Sequence, residues 1–249
     1  MLTDKVVLLT GASKGIGAAT AEKLLSEGAI VVGTYNRGIG SLELLEQKYG
    51  VGRLLSLKGD LSDNNAVEII WREALAYKGH IDAVVNNAGA MTKLGIDAGD
   101  CDWHDAWQTT MAVNVQAVAD LCRRAIMHFK SRGGGSLVSI ASRAAHRGDS
   151  IDYMHYAASK GAVVSLMKSI ARGYAADNIM AYTIAPGWVK TDMAAVACEP
   201  GNEHMFDEIP MGTAAPPEEV ANLIAFLLSG QVRHATGSTF DINGASYVR

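Results

Sequence analysis

Residues 10–17 read Thr10-Gly11-Ala12-Ser13-Lys14-Gly15-Ile16-Gly17. The apolar run Val6–Thr10 leads into them, and a helical pattern, Gly15–Ser26, leads out. Glycines at such a turn let the backbone approach a pyrophosphate and let the helix pack close to the strand. The helix start then turns unpaired N–H groups and a positive dipole end toward the phosphates. A glycine-rich loop by itself also serves ordinary tight turns. The strand before it and the helix after it raise the dinucleotide reading above that alternative. Gly11, Ser13, Lys14, Gly15, Ile16 and Gly17 are the candidate phosphate-loop residues.

Outward from this loop, short β-branched runs alternate with longer helical patterns. Strands are expected at Val6–Thr10, Ala29–Thr34, Leu54–Leu57, Ile81–Val85, Leu137–Ile140, Ala181–Ile184 and Thr239–Ile242. Helices are expected near Gly15–Ser26, Ser41–Tyr49, Asn64–Tyr77, Trp103–Lys130, Met154–Ala176 and Pro217–Leu228. Continuous apolar strands separated by helices imply a parallel sheet buried on both faces. The expected fold is α/β, a single Rossmann-type doubly wound parallel sheet of about seven strands with helices on both faces. One domain is expected over residues 1–249, with no repeat, low-complexity stretch or linker. Four of the five prolines lie beyond residue 190, which places the irregular connections there. A flap that closes over substrate is expected at about 191–212.

Of 249 residues, 49% are hydrophobic and 19% charged, which excludes a disordered chain. Lys and Arg number 22 against 26 Asp and Glu, a net charge of -4 with no basic run. Composition therefore gives no electrostatic case for nucleic acid or anionic lipid. Cys101, Cys122 and Cys198 lack metal-ligand spacing, so no metal is expected and the thiols read as free in a reducing compartment. The start, MLTDKVVLLT, has no leader pattern, and no apolar run approaches the ~18 residues that span a bilayer. A soluble cytoplasmic protein with no membrane partner is expected.

Cofactor choice depends on the end of the second strand, Gly33-Thr34-Tyr35-Asn36-Arg37. A carboxylate there would bond a ribose 2′-hydroxyl and repel a 2′-phosphate, whereas a guanidinium binds the phosphate bidentately. Asn36 and Arg37 stand at this position and Lys14 offers a second positive charge, so NADP(H) is favoured over NAD(H). The ordinary alternative is that Arg37 and Lys14 are solvated surface charges.

Tyr156-Ala157-Ala158-Ser159-Lys160 opens a helix with Tyr and Lys at i and i+4, about 6 Å apart along one face. A neighbouring ammonium favours the phenolate and is expected to lower the tyrosine pKa toward neutrality. This spacing alone is common on any helix. Ser142 ends the strand before this helix, at the carboxyl edge where open α/β sheets bind ligands. Asn114 lies inside an otherwise apolar helix and needs buried partners, structural or catalytic.

With these residues the chain resembles the short-chain dehydrogenase/reductase family over essentially its whole length. The matching stretches are Thr10–Gly17, Asp60-Leu61, Asn86-Asn87-Ala88-Gly89, Asn114, Ser142, Tyr156 with Lys160, and Pro186-Gly187-Trp188-Val189-Lys190-Thr191. The resemblance implies Tyr156 as general acid/base and Ser142 as the group polarising a substrate carbonyl. It implies that Lys160 tunes Tyr156 and holds the nicotinamide ribose, while Asn114 positions a relay water. Asp60 and Leu61 would meet the adenine, and Asn86, Asn87, Ala88 and Gly89 would form the cofactor floor. Pro186, Gly187, Val189 and Thr191 would lie along the nicotinamide. It further implies a homotetramer, with Trp103–Lys130 and Met154–Ala176 at one interface and Phe240–Arg249 at another.

The implied activity is NADPH-dependent reduction of a ketone to a secondary alcohol. The alternatives are a sugar-alcohol or other secondary-alcohol dehydrogenase, or a cofactor-sensing regulator without chemistry. Candidate pocket residues are Met91, Leu94, Arg143–His155, Trp188 and the flap Met193–Met211. The pattern Ile209-Pro210-Met211-Gly212, Pro217–Ala221, Thr236-Gly237 and Asn243-Gly244 is similar to bacterial 3-oxoacyl-[acyl-carrier-protein] reductases. An acidic carrier-protein partner would want basic residues near the mouth, and Arg123, Arg124, Lys130 and Arg132 are the candidates. Three departures stand out. Ser142 and Tyr156 are separated by 13 residues, one more than is commonest, Tyr182 replaces a frequent asparagine, and Asp177 stands where such reductases often place arginine.

Overall fold

The computed structural model describes residues 2–63, 65–192, 194 and 206–249. Seven strands form one parallel sheet, β1 (Val6–Leu9), β2 (Ile30–Tyr35), β3 (Leu54–Lys58), β4 (Ala83–Asn86), β5 (Gly135–Ile140), β6 (Ile179–Pro186) and β7 (Thr239–Ile242). Their order is β3-β2-β1-β4-β5-β6-β7. The chain runs outward to one edge, returns, and builds to the other, so the crevice at the carboxyl ends of β1 and β4 is the switch point where such sheets take ligands.

The central strands are apolar on both faces because helices cover both. Val7 and Leu9 of β1 face a layer with Leu24, Leu42, Val220 and Ile224. Leu8 between them faces Ile70, Leu121, Phe129 and Val163 on the other side. The first layer is α1 (Gly15–Ser26), α2 (Leu42–Tyr49) and α8 (Pro217–Leu228), and the second is built on α3 (Ala66–Lys78), α5 (Ala117–Arg132) and α7 (Met154–Tyr174). The expected doubly wound sheet is what forms.

Three local differences from the sequence reading bear on the site. The single helix expected over Trp103–Lys130 is α4 (Asp100–Met111) and α5 joined by a π-helical segment, Ala112–Gln116, with Asn114 at its centre. The segment after β5 holds a one-turn helix, α6 (Ala144–Arg147), and a 3₁₀ turn at Ile151–Tyr153. β6 is longer than expected and runs to Pro186. Of the expected flap, residues 195–205, including Cys198, and Met193 lie outside the described residues. Tyr182 is fully buried on β6 and its hydroxyl donates weakly to the Val232 carbonyl (3.4 Å), a structural contact remote from the site.

Among the described residues no helix is long and apolar enough to cross a membrane. Cys122 is buried in the second layer, where desolvation pushes its thiol up to about 12, while Cys101 is exposed. Phe129 is fully buried at the foot of α5. Phe129→Ala should lower stability by about 3–5 kcal/mol, read as a reduced urea midpoint at unchanged slope.

Candidate active site

The glycine loop leaves no space for side chains. A Cβ on Gly17 would lie 1.9 Å from the Gly11 carbonyl oxygen and 2.7 Å from Asn87 Nδ2. Gly11 itself has φ +66 and lies against the Ala88 backbone. Asn87 braces the loop, because its side-chain amide donates to the carbonyls of Thr10 (2.9 Å) and Gly11 (3.0 Å). Thr10 Oγ1 accepts from the backbone N–H groups of Asn87 and Ala88. The loops after β1 and β4 are therefore one unit, and α1 starts at Gly15 with no side chain capping its N-terminus. Ser13 offers its carbonyl to Ser41 N–H (2.9 Å), and Ile16 packs on the first core layer.

Asn36, Arg37 and Asp60 come together at the ends of β2 and β3. Hydrogen bonds from the Ser62 backbone N–H and hydroxyl, aided by Asn36 and the Arg37 charge, hold the Asp60 carboxyl below its usual range against slight desolvation. Asp60 thus closes an Asx turn with Ser62 while standing beside Arg37. Leu61 packs on the second layer. Arg37 is exposed, whereas Lys14 forms an exposed pair with Asp192 (3.2 Å) rather than joining Arg37. Thr191 meets the glycine loop from the other side: its Cγ2 lies 3.0 Å from where a Gly15 Cβ would be, and its hydroxyl donates to Val189 (3.3 Å). Pro186 ends β6, Gly187 N–H donates to Ile242, and Val189 bridges to Ala215.

Ser142, Tyr156 and Lys160 converge. The Ser142 hydroxyl lies near enough to Tyr156 to favour its phenolate. Ser142 Oγ accepts the Ala144 N–H (3.1 Å), a bond that does not use the hydroxyl proton. Lys160 is buried, its Nζ lies 5.6 Å from the Tyr156 ring centre, and it donates to the Ile140 carbonyl (2.8 Å), two residues before Ser142. Gly89 faces both Lys160 Nζ and Asn114 Oδ1.

The titration of this group departs from the sequence reading. Burial pushes Tyr156 up to about 12, against the opposing effect of the Ser142 hydroxyl, and it pushes Lys160 down to about 8. The ammonium was expected to lower Tyr156. Desolvation, which periodicity does not reveal, sets the direction instead, because both groups are almost fully enclosed, and the effect opposing it on Tyr156 comes from Ser142. Near neutral pH the pair is therefore a neutral phenol beside an ammonium.

Asn114 has a fully committed side chain. Its Oδ1 accepts from Ala90 N–H (2.7 Å), and its Nδ2 donates to the Ala90 carbonyl (2.9 Å) and Ser159 Oγ (2.9 Å). Ser159, which sequence reasoning passed over, donates onward to the Tyr156 carbonyl (2.7 Å) and so ties the π-helical segment to the first turn of α7. The only sequence signal was a serine at i+3 from Tyr156. Asn86, expected among the cofactor-floor residues, turns instead into the second layer toward Ser139 and Cys122.

The basic residues suggested as a carrier-protein patch are largely engaged. Arg124 pairs with Glu68 (2.6 Å), Lys130 with Asp177 (3.5 Å) and Arg132 with Asp82 (4.0 Å). Around the cleft, Leu94 N–H donates to Asp152 and Lys93 pairs with it (3.4 Å). Arg143, Arg147 and Trp188 all reach Glu208. Among the described residues no group of three or more His, Cys, Asp or Glu converges as a metal site.

Residues 11–245 match the family model described as enoyl-(acyl carrier protein) reductase. The chain is 31% identical over 245 residues to the 3-oxoacyl-[acyl-carrier-protein] reductase FabG of Escherichia coli K12, covering 98% of each chain. It is 32% identical to the FabG of Aquifex aeolicus, covering 99% of this chain and 98% of that one. A Brucella melitensis 3-ketoacyl-(acyl-carrier-protein) reductase complexed with NADH superposes with a TM-score of 0.90 at 29% identity, over 100% of both chains. A mutant short-chain dehydrogenase/reductase of Serratia marcescens gives 0.90 at 30% identity, over 99% of both.

Lys160 carries a pH prediction. Its folded value, about 8, lies below the ordinary 10.5, so between these pH values the unfolded chain binds the proton more strongly. There the linkage makes stability rise with pH. Relative to Lys160→Met, the parent protein should gain on the order of 3 kcal/mol between pH 7 and pH 10.5. Urea midpoints of the two proteins across that range check it, and a constant gap would contradict it.

Proposed function

The chain belongs to the short-chain dehydrogenase/reductase family, and on that footing we propose that it reduces a ketone to a secondary alcohol with NADPH, a 3-oxoacyl thioester being the first substrate to test. The observation that carries this reading is the meeting of two hydroxyls, Tyr156 and Ser142, above a buried Lys160. Two neighbouring hydroxyls suit an oxygen on which negative charge develops, as in carbonyl reduction.

The glycine cradle supports a dinucleotide, since Gly11 and Gly17 leave backbone where a pyrophosphate would lie beside the start of α1. A bound reduced nicotinamide would supply the hydride. Tyr156, held protonated by burial, delivers its proton to the nascent alkoxide, and Ser142 donates to the same oxygen. Lys160 fixes the end of β5 through Ile140 and keeps a positive charge beneath the tyrosine ring. Asn114, its amide fully bonded, would serve the proton path through the irregular backbone of the π-helical segment rather than through its side chain. Arg37, with Asn36 and no carboxylate ending β2, supports NADPH; Asp60, beside it, is tied up by Ser62.

A phenol kept neutral favours the reductive direction over oxidation of a secondary alcohol. A catalytically silent sensor would have no need of Ser142, Tyr156, Lys160 and Asn114 together. Ion pairing of Arg124, Lys130 and Arg132 weakens the case for a carrier-protein dock, so a free acyl thioester is the better first probe. A homotetramer remains the expected assembly, and light scattering would read it.

Tyr156→Phe should lower turnover of an acetoacetyl thioester by about 10²–10⁴-fold while NADPH binding, followed by nucleotide fluorescence, is unchanged. Retained turnover would refute Tyr156 as the acid. Arg37→Asp should reverse the preference for NADPH over NADH in the same assay, and an unaltered ratio would refute the cofactor assignment.

A further inference from the structure

A carboxylate of the expected flap reaches the turn that carries Ser142. Glu208 accepts from Arg143 Nη2 and, at 3.4 Å, Arg147 Nη2 on one oxygen and from Arg147 Nη1 (2.8 Å) on the other; Trp188 Nε1 donates to the first at 3.3 Å. Arg143 and Arg147 stand one helical turn apart and so present one face. Burial alone would raise the Glu208 carboxyl, but hydrogen bonds from the two guanidiniums outweigh it and hold the group below its usual range.

The cluster matters because of what the turn can do without it. α6 is a single turn of four residues, too short to persist on its own hydrogen bonds. Ser142 belongs to the same turn, through Ala144 N–H to its Oγ and Ala145 N–H to its carbonyl. Arg143, the next residue, has a side chain only 6% exposed. Its Nη1 has no partner, and Glu208 is its only ion-pair partner among the described residues, the Asp149 charge adding a weaker attraction. A buried cation that loses its counter-ion is strongly destabilised, and relief requires the side chain to reach water. For Arg143 that means opening the turn next to Ser142.

We propose that Glu208 is a positioning residue for the reaction: its carboxylate, through Arg143 and Arg147, holds the Ser142 turn and thus the direction of the Ser142 hydroxyl. This rests on the reading of Ser142 as the group that polarises the substrate carbonyl. A flap carboxylate thereby controls the geometry of the chemistry without touching substrate.

Two readouts on the full chain test it. Hydrogen exchange is measured over the amides of residues 143–148 in the parent and in Glu208→Ala, and kcat with saturating NADPH and an acetoacetyl thioester is measured in both. Exchange over this turn should rise at least about tenfold and kcat fall about 10–100-fold, with the NADPH dissociation constant unchanged. In a Ser142→Ala background, Glu208→Ala should cost less than about twofold, since the two act through one hydroxyl. Glu208→Gln keeps the size and one acceptor and should fall between; it carries the same comparisons should the alanine variant not fold. Unchanged exchange, or an equal kcat loss with and without Ser142, would overturn the proposal. Faster exchange in a protein whose parent reduces no ketone would leave the clamp standing and remove the carbonyl role of Ser142.

Discussion

Gly17 touching the Gly11 carbonyl is the contact on which the site depends. With no room for even a methyl group between α1 and the turn after β1, the helix start sits directly over the strand end. The Asn87 amide then fastens that turn to the end of β4, so three backbone segments meet with their polar groups paired among themselves. Parallel packing of β1 between β2 and β4 puts this junction at the switch point of the sheet. The crevice is consequently walled by backbone and small residues, the surface a pyrophosphate needs, and specificity is left to the side chains at its ends.

Two buried cations flank Ser142, and the protein handles them differently. Lys160 has no carboxylate partner among the described residues; it is held by the Ile140 carbonyl and its proton affinity falls to about 8. Arg143 cannot deprotonate near neutral pH, so it requires a counter-ion, and Glu208 supplies it from a distant segment. A titratable amine can relieve its burial by giving up charge, whereas a guanidinium must be matched by geometry. That difference explains why the first cation needs only local contacts and the second recruits the flap.

Much of the fold was legible because strand burial on both faces writes continuous apolar runs such as Val6–Leu9 and Ile30–Val32, and because glycine spacing marks the turn. Tyr156 and Lys160 were legible from i,i+4 spacing. What escaped reading is non-local. The sign of the Tyr156 shift is set by enclosure from several elements at once. The break at Asn114 is a backbone irregularity inside an unbroken helical pattern, with no proline or glycine to announce it. The Ser159 bridge joins residues 45 positions apart, and Glu208 lies 65 positions from Arg143, in a stretch whose sequence suggested only irregular connection. Basic residues read as a free patch proved to be paired because their partners come from other elements.

The bracing of the glycine loop by Asn87 also sets an order of events during synthesis. The bond from Asn87 to Thr10 closes 77 positions of chain, and β1 has no second neighbour until β4 is made. A nascent fragment ending short of β4 therefore carries the glycine loop without its brace, and slow, long-range strand pairing must precede any nucleotide cradle. Ser142 and the helix of Tyr156 emerge later still, on the next strand and helix outward. The molecule thus acquires its parts in the sequence cradle, hydroxyls, flap, and the last of these brings the carboxylate that fixes Arg143.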